Sequence, residues 1–160
     1  MFRGAAPSIT IAAPPDGLLT NQTPIPVTGS SAGSPAPSVT VNGVAASTSG
    51  TDYSASVGLV EGANTLTASA ENEFGTAQAS VTVTLDTTPP VVTIETPADG
   101  YATTDGSVVV TGTVADASPI ASFTVNGVAT PLVAGTFTTT ISLAEGANPI
   151  TAVATDAGSV

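Results

Sequence analysis

One pattern is written twice in this chain, and it constrains the fold more than any other feature. Residues 39 to 66 run VTVNGV, a polar stretch around Tyr53, then LVEGANTL; residues 123 to 150 run FTVNGV, a stretch around Phe137, then LAEGANPI. Val41 and Val125 stand 84 residues apart, as do Glu61 and Glu145, so one register relates the copies. In a chain of 160 residues such a period divides the molecule into two units, each the size of a small sandwich domain. A hydrophobic content of 41% supplies a core for both, and 16 Gly with 13 Pro fall short of low-complexity disorder.

Within each copy the apolar residues recur every second position, as in half-buried strands. Ile9 and Ile11 open the first copy, and Pro14, Pro15, Asp16 and Gly17 close that strand. Ile25 and Val27 restart the alternation, Ser30 to Pro37 read as a loop, and Val39 and Val41 are the inward pair of a third strand. Asn42-Gly43 then predicts a type I′ hairpin, which needs positive φ at both central residues, with a return strand from Val44. Tyr53, Ala55 and Val57, then Leu66, Ala68 and Ala70, then Ala79, Val81, Val83 and Leu85 complete seven short strands. Turns every 8 to 12 residues make this an all-β antiparallel sandwich. The second copy replays the plan, with Thr93-Ile94 and Pro97 to Gly100 matching Thr10-Ile11 and Pro14 to Gly17 at a shift of 83.

The boundaries follow: an N-terminal arm over 1–7, repeat 1 over 8–86, a linker over 87–90 and repeat 2 over 91–160. Pro89-Pro90 makes the linker extended and stiff. Repeat 1 ends on the strand Ala79 to Leu85, whereas the sequence reaches Val160 before any counterpart, so repeat 2 is expected to lack its last strand. Three or four inward apolar side chains at about 1.5 to 3 kcal/mol each are thereby missing, a sum of about 5 kcal/mol or more. That rivals the stability of a small domain and bares a strand edge. Two readings explain it: a longer array of repeats, or a strand arriving from a neighbouring subunit.

Charge narrows the partners. Twelve acidic residues face a single basic one, Arg3, for a net charge of −11. Nucleic acid and anionic membrane surfaces need clustered Lys and Arg, which this chain does not have. No apolar run approaches the roughly 18 residues of a membrane span, and MFRGAAP is not a secretion signal, so export is expected to be encoded elsewhere. With no Cys and no His, thiolate metal sites, disulfides and nucleophilic triads are absent. Glu61 and Glu145 are not a glycosidase pair, since a turn shared by both copies accounts for them. Enzymatic chemistry is not expected.

Three binding possibilities remain. Tracing the sandwich from pole to pole puts Asp116 and Asp156 where repeat 2 begins, beside Asp86, and Glu61 where repeat 1 ends; together they are a candidate Ca²⁺ set of oxygen ligands. The competing reading has Asp116 and Asp156 satisfying amides of their own loops and leaves Asp86 solvated. Phe74 and Tyr101 are the aromatics expected in loops, where a glycan would stack on them, while Tyr53 and Phe137 belong to the core. Asn21-Gln22-Thr23 fits an N-glycosylation acceptor.

The run TPPVVTIETPADG, followed by VTGTVAD, FTVNGV and LAEGANPITAVATDAG, resembles the bacterial immunoglobulin-like repeats of secreted and surface proteins, among them adhesin stalks and the accessory sandwich modules of polysaccharide-degrading enzymes such as glucodextranase. Repeat 1 departs from the pattern, with Ala32-Gly33 against Asp116 and Asn72 against Asp156. The resemblance implies two tandem immunoglobulin-like sandwiches in a non-catalytic extracellular or cell-surface protein, a stalk or a subunit of a filament that pairs with further repeats or copies of itself. Its alternative is a carbohydrate-binding accessory module.

Overall fold

Alternating apolar and hydroxyl residues build strands throughout, and the computed structural model, which describes residues 4–158, has no helix among them. The chain divides into two compact units, Met1–Thr87 and Thr88–Val160. Unit 1 holds β1 (Ala5–Ala13), β2 (Leu18–Thr20), β3 (Ile25–Ser34), β4 (Ser38–Val41), β5 (Val44–Ala45), β6 (Ser47–Ser49), β7 (Asp52–Val57), β8 (Gly62–Asn72) and β9 (Gly75–Leu85). They form two sheets in the orders β1-β3-β7-β6 and β2-β9-β8-β4-β5. The inward residues Val27, Val41, Leu66, Ala68, Ala70 and Val83 are all 0% exposed. On the outer face hydroxyl residues pair across strands, Thr65 with Thr82 and Thr67 with Ser80, so the sheet is solvated with few charges.

Unit 1 has two strands beyond the expected seven. β2 is three residues long, too short to show an alternation, and it pairs in parallel with β9, Leu18 opposite Val83. β6 is Ser-Thr-Ser and carries no apolar signal, but its backbone pairs with β7. The stretch from Ser30, read as a loop, is strand as far as Ser34, because β1 starts at Ala5, inside the expected arm, and pairs with it. Residues 1–3 of that arm lie outside the described residues, as do the last two residues of repeat 2.

Unit 2 holds β10 (Val91–Thr96), β11 (Ser107–Ala115), β12 (Ile120–Val125), β13 (Val128–Ala129), β14 (Thr136–Ser142) and β15 (Ala152–Asp156), in the orders β10-β11-β14 and β13-β12-β15. Its core is Val110, Val114, Phe123, Val125 and Phe137, with the two aromatic rings 4.7 Å apart. Among the described residues β15 has β12 on one side and no strand on the other, and no counterpart of β9 or β2 is present.

The recurring motifs act through their asparagines. Asn42 and Gly43 take φ of 46° and 80°, and Asn126 and Gly127 take 48° and 77°, the left-handed pair of the expected hairpin. The Asn42 side chain also donates to Thr65 O at 3.1 Å and accepts from Thr67 N at 2.8 Å, fastening the hairpin to β8. Asn126 repeats this with Pro149 O and Thr151 N. In the Glu-Gly-Ala-Asn turns, Asn64 accepts from Val60 N and donates to Val60 O and Gly62 O, and Asn148 does the same with Ala144 and Gly146.

A second shared device lies under the aromatics. A Cβ on Gly29 would stand 1.9 Å from Thr10 O and 2.6 Å from the Tyr53 hydroxyl; on Gly112 it would stand 2.0 Å from Thr93 O and 2.8 Å from the Phe137 ring. Glycine therefore lets each central aromatic lie flat against the neighbouring strand. Tyr53 uses its hydroxyl to donate to Thr10 O at 2.8 Å, and burial pushes its phenol pKa above the ordinary value.

Candidate functional site

The four acidic residues of the candidate Ca²⁺ set fall two in each unit, and no three potential metal ligands cluster among the described residues. In unit 1, Glu61 is exposed and its two oxygens accept from Thr87 N at 3.1 Å and Thr87 Oγ1 at 2.9 Å, tying the chain that leaves β9 to the Glu-Gly-Ala-Asn turn. Asp86, the residue before Thr87, is 4% exposed, buried rather than solvated. In unit 2, Asp116 Oδ1 accepts from Ser118 N at 2.7 Å, the local turn role open to an aspartate in a loop. Asp156 is 0% exposed and pairs with Ile120 across the ladder, and Ala157 N donates to Pro119 O, so its segment lies against the Asp116 loop. Glu61 and Asp86 thus both belong to unit 1, each bonded to other partners, and Asp116 and Asp156 occupy one end of unit 2. Asn72, the counterpart of Asp156, instead links three segments of unit 1, donating to Ala5 O and Pro35 O and accepting from Phe74 N.

Phe74 is 49% exposed in the β8–β9 turn and Tyr101 is 59% exposed in the loop after β10, while Tyr53 and Phe137 are buried as expected. Asn21, Gln22 and Thr23 are exposed, although the Thr23 hydroxyl accepts from Leu59 N at 2.7 Å and is part of the scaffold.

Unit 2 carries a broad concavity. A groove of about 1010 Å³ is floored by Ile94, Val108, Leu143 and Ile150 and flanked by the Asp99-Gly100-Tyr101 turn and the Glu145 turn. Ile150 lines it and is half-buried, as are Ala152 and Ala154 farther along β15, whereas their counterparts Leu66, Ala68 and Ala70 in β8, the neighbour of β9, are fully buried. The ladder shows the same difference. β8 begins at Gly62, but β15 begins only at Ala152, the counterpart of Ala68. The missing stretch corresponds to Gly62–Thr67, which in unit 1 pairs with β9 alone.

Sequence reasoning missed how β9 is held. Asp16 Oδ1 accepts from Thr82 N at 2.7 Å and Gly17 N donates to Thr82 O at 2.8 Å, so the Pro-Pro-Asp-Gly turn clamps the strand. The recurrence of Asp-Gly at Asp99-Gly100 was the available signal.

Fold and composition define the class: a tandem of immunoglobulin-like β-sandwiches without His or Cys, a non-catalytic module. The chain belongs to the family of glucodextranase domain B, whose family model matches residues 7–88 and again residues 90–159. Bacillopeptidase F of Bacillus subtilis (strain 168) is 35% identical over 164 residues, covering 97% of this chain; the chain spans only 11% of that protein. Among solved structures, the titin immunoglobulin tandem A164-A165 aligns with a TM-score of 0.46 at 14% identity, covering 97% of each chain. The fibronectin(III)-like modules of Clostridium thermocellum CbhA align at 0.41 and 19% identity, covering 94% of this chain and 87% of theirs.

Proposed function

We propose that the chain is an extracellular spacer, a stalk or fibre segment that sets the distance between other parts of a surface or secreted assembly. The observation that carries this reading is the double match to one accessory-domain family, which accounts for residues 7–88 and 90–159 with two sandwiches and no inserted segment. A Cys-free core in unit 1 and hydroxyl-rich outer faces suit a module exposed to solvent on all sides. The test is replacement within the protein that carries the repeats. Two unrelated sandwiches of equal length should preserve that protein's activity and export; loss of either, with the substitute folded, would refute a spacer role.

The exposed rings of Phe74 and Tyr101 favour a second reading, a carbohydrate-binding accessory module. Binding on a glycan array that disappears in Phe74→Ala or Tyr101→Ala supports it, and a blank array removes it. Calcium at Glu61, Asp86, Asp116 and Asp156 stays a proposal on the acidic ends of the two units. An unchanged melting temperature on adding chelator would reject it.

A further inference from the structure

We infer that Asn42 and Asn126 are masked modification sites: the sequence primes each for deamidation through its own backbone, and the fold withholds the reaction until the unit unfolds. The inference goes beyond a spacer role and rests on the two hairpins alone. Asparagine followed by glycine favours this chemistry, because no side chain shields the glycine nitrogen and the glycine backbone turns freely. The deprotonated Gly43 nitrogen attacks Asn42 Cγ, the bond from Cγ to the side-chain nitrogen breaks, and ammonia leaves a cyclic succinimide. Water then opens the ring at either carbonyl, giving aspartate or isoaspartate, the latter with an extra methylene in the main chain. Asn126 and Gly127 are the same pair in the second copy. The other four asparagines precede Gln22, Thr65, Glu73 and Pro149, whose side chains crowd the nitrogen or, in proline, take its hydrogen.

Asn42 and Asn126 are both exposed, so burial does not protect them from water. What holds them is a strand-like contact made partly by the side chain. The Asn42 backbone N donates to Thr67 O at 2.9 Å, its Oδ1 accepts from Thr67 N at 2.8 Å and its Nδ2 donates to Thr65 O at 3.1 Å. Asn126 repeats the set with Thr151 O at 2.7 Å, Thr151 N at 2.8 Å and Pro149 O at 3.3 Å. Both ends of each carboxamide are thus engaged by the neighbouring segment, and both bonds have to break before Cγ can swing to the glycine nitrogen. Conversion also damages the hairpin that permits it. An ionised acid at position 42 has no hydrogen to give to Thr65 O. Isoaspartate lengthens a turn whose register sets Val41 opposite Val44, and the same holds for Val125 and Val128. A chain that converts while unfolded returns to a weakened hairpin, so unfolding leaves a covalent mark.

The experiment incubates the whole protein in mildly alkaline buffer with and without urea, beside a peptide of residues 38–45, SVTVNGVA, that sets the unrestrained rate. Digestion at acid pH and mass spectrometry read the change from amide to acid at each asparagine. In urea, Asn42 and Asn126 should convert at the rate of the peptide, well ahead of Asn21, Asn64, Asn72 and Asn148. In the folded protein both should convert about thirtyfold more slowly, for two hydrogen bonds that must first break. Gly43→Ala, read in urea where its effect on the fold does not enter, should slow Asn42 and leave Asn126 unchanged. After urea is removed, chains converted at position 42 should unfold at a lower midpoint in unit 1 than unconverted chains. Conversion in the folded protein as fast as in the peptide, equal rates at all six asparagines in urea, or an unchanged midpoint after conversion would each overturn the inference.

Discussion

Alkaline unfolding isolates one side chain in this protein. With no Lys, His or Cys, the side chains that titrate between pH 9 and 11.5 are Tyr53 and Tyr101. Tyr101 is 59% exposed, whereas Tyr53 is 2% exposed and donates to Thr10 O. Burial holds the folded phenol above the ordinary value of 10.0, so the unfolded chain releases its proton first. Fewer protons on the unfolded state means that stability falls as pH rises: the contribution is whole below pH 10 and is lost from there up through the raised folded value. The limiting slope is about 1.4 kcal/mol per pH unit. Unit 1 therefore loses stability from pH 10 upward until the folded phenol itself ionises. Tyr53→Phe should cost about 1 kcal/mol at pH 7, for the lost hydrogen bond, and then stay flat. The two curves therefore converge above pH 10. Urea unfolding followed by circular dichroism at each pH gives both curves. Wild-type stability unchanged to pH 11.5, or a variant that falls in parallel, would refute the argument.

Three further outcomes follow from the duplicated core. Gly112→Ala sets a Cβ 2.0 Å from the Thr93 carbonyl, so β10 must move; we expect a loss of about 3 kcal/mol in unit 2 by urea unfolding, and a similar one in unit 1 for Gly29→Ala. Leu66→Ala empties a fully buried site and should cost about 2 to 5 kcal/mol, whereas half-buried Ile150→Ala should cost about half as much or less, measurable from the two unfolding midpoints. Asn64→Ala removes three hydrogen bonds that close one turn and should lower unit 1 stability by about 1 to 3 kcal/mol, with faster exchange of the Val60 amide as the local signature.

The core was legible because burial in a sandwich imposes period two, and every inward residue of Tyr53, Ala55 and Val57 or Leu66, Ala68 and Ala70 is buried in the structure. The hairpins were legible because Asn-Gly has few other uses. β2 and β6 were not, since three residues cannot show a period and Ser47–Ser49 buries nothing. Gly29 and Gly112 escaped notice although the VTG they end recurs, because their constraint comes from a carbonyl some twenty residues away. The competing reading that left Asp86 solvated does not hold, because its amide is bonded to Thr20 O and the residue is 4% exposed, a contact with β2 that the sequence does not signal. The hold of Asp16 on Thr82 was not legible either, because a Pro-Pro-Asp-Gly turn does not say which strand its carboxylate will reach.

The parallel pairing of β2 with β9 decides how unit 1 responds to tension. The chain reaches β2 through β1 and leaves from the C-terminal end of β9, and because the two strands point the same way, pulling the termini apart drives them past each other lengthwise. Their hydrogen bonds, including Asp86 N to Thr20 O at 2.9 Å, then share the load simultaneously and do not peel one by one. Unit 1 is thereby braced against stretching along the line of its own two ends.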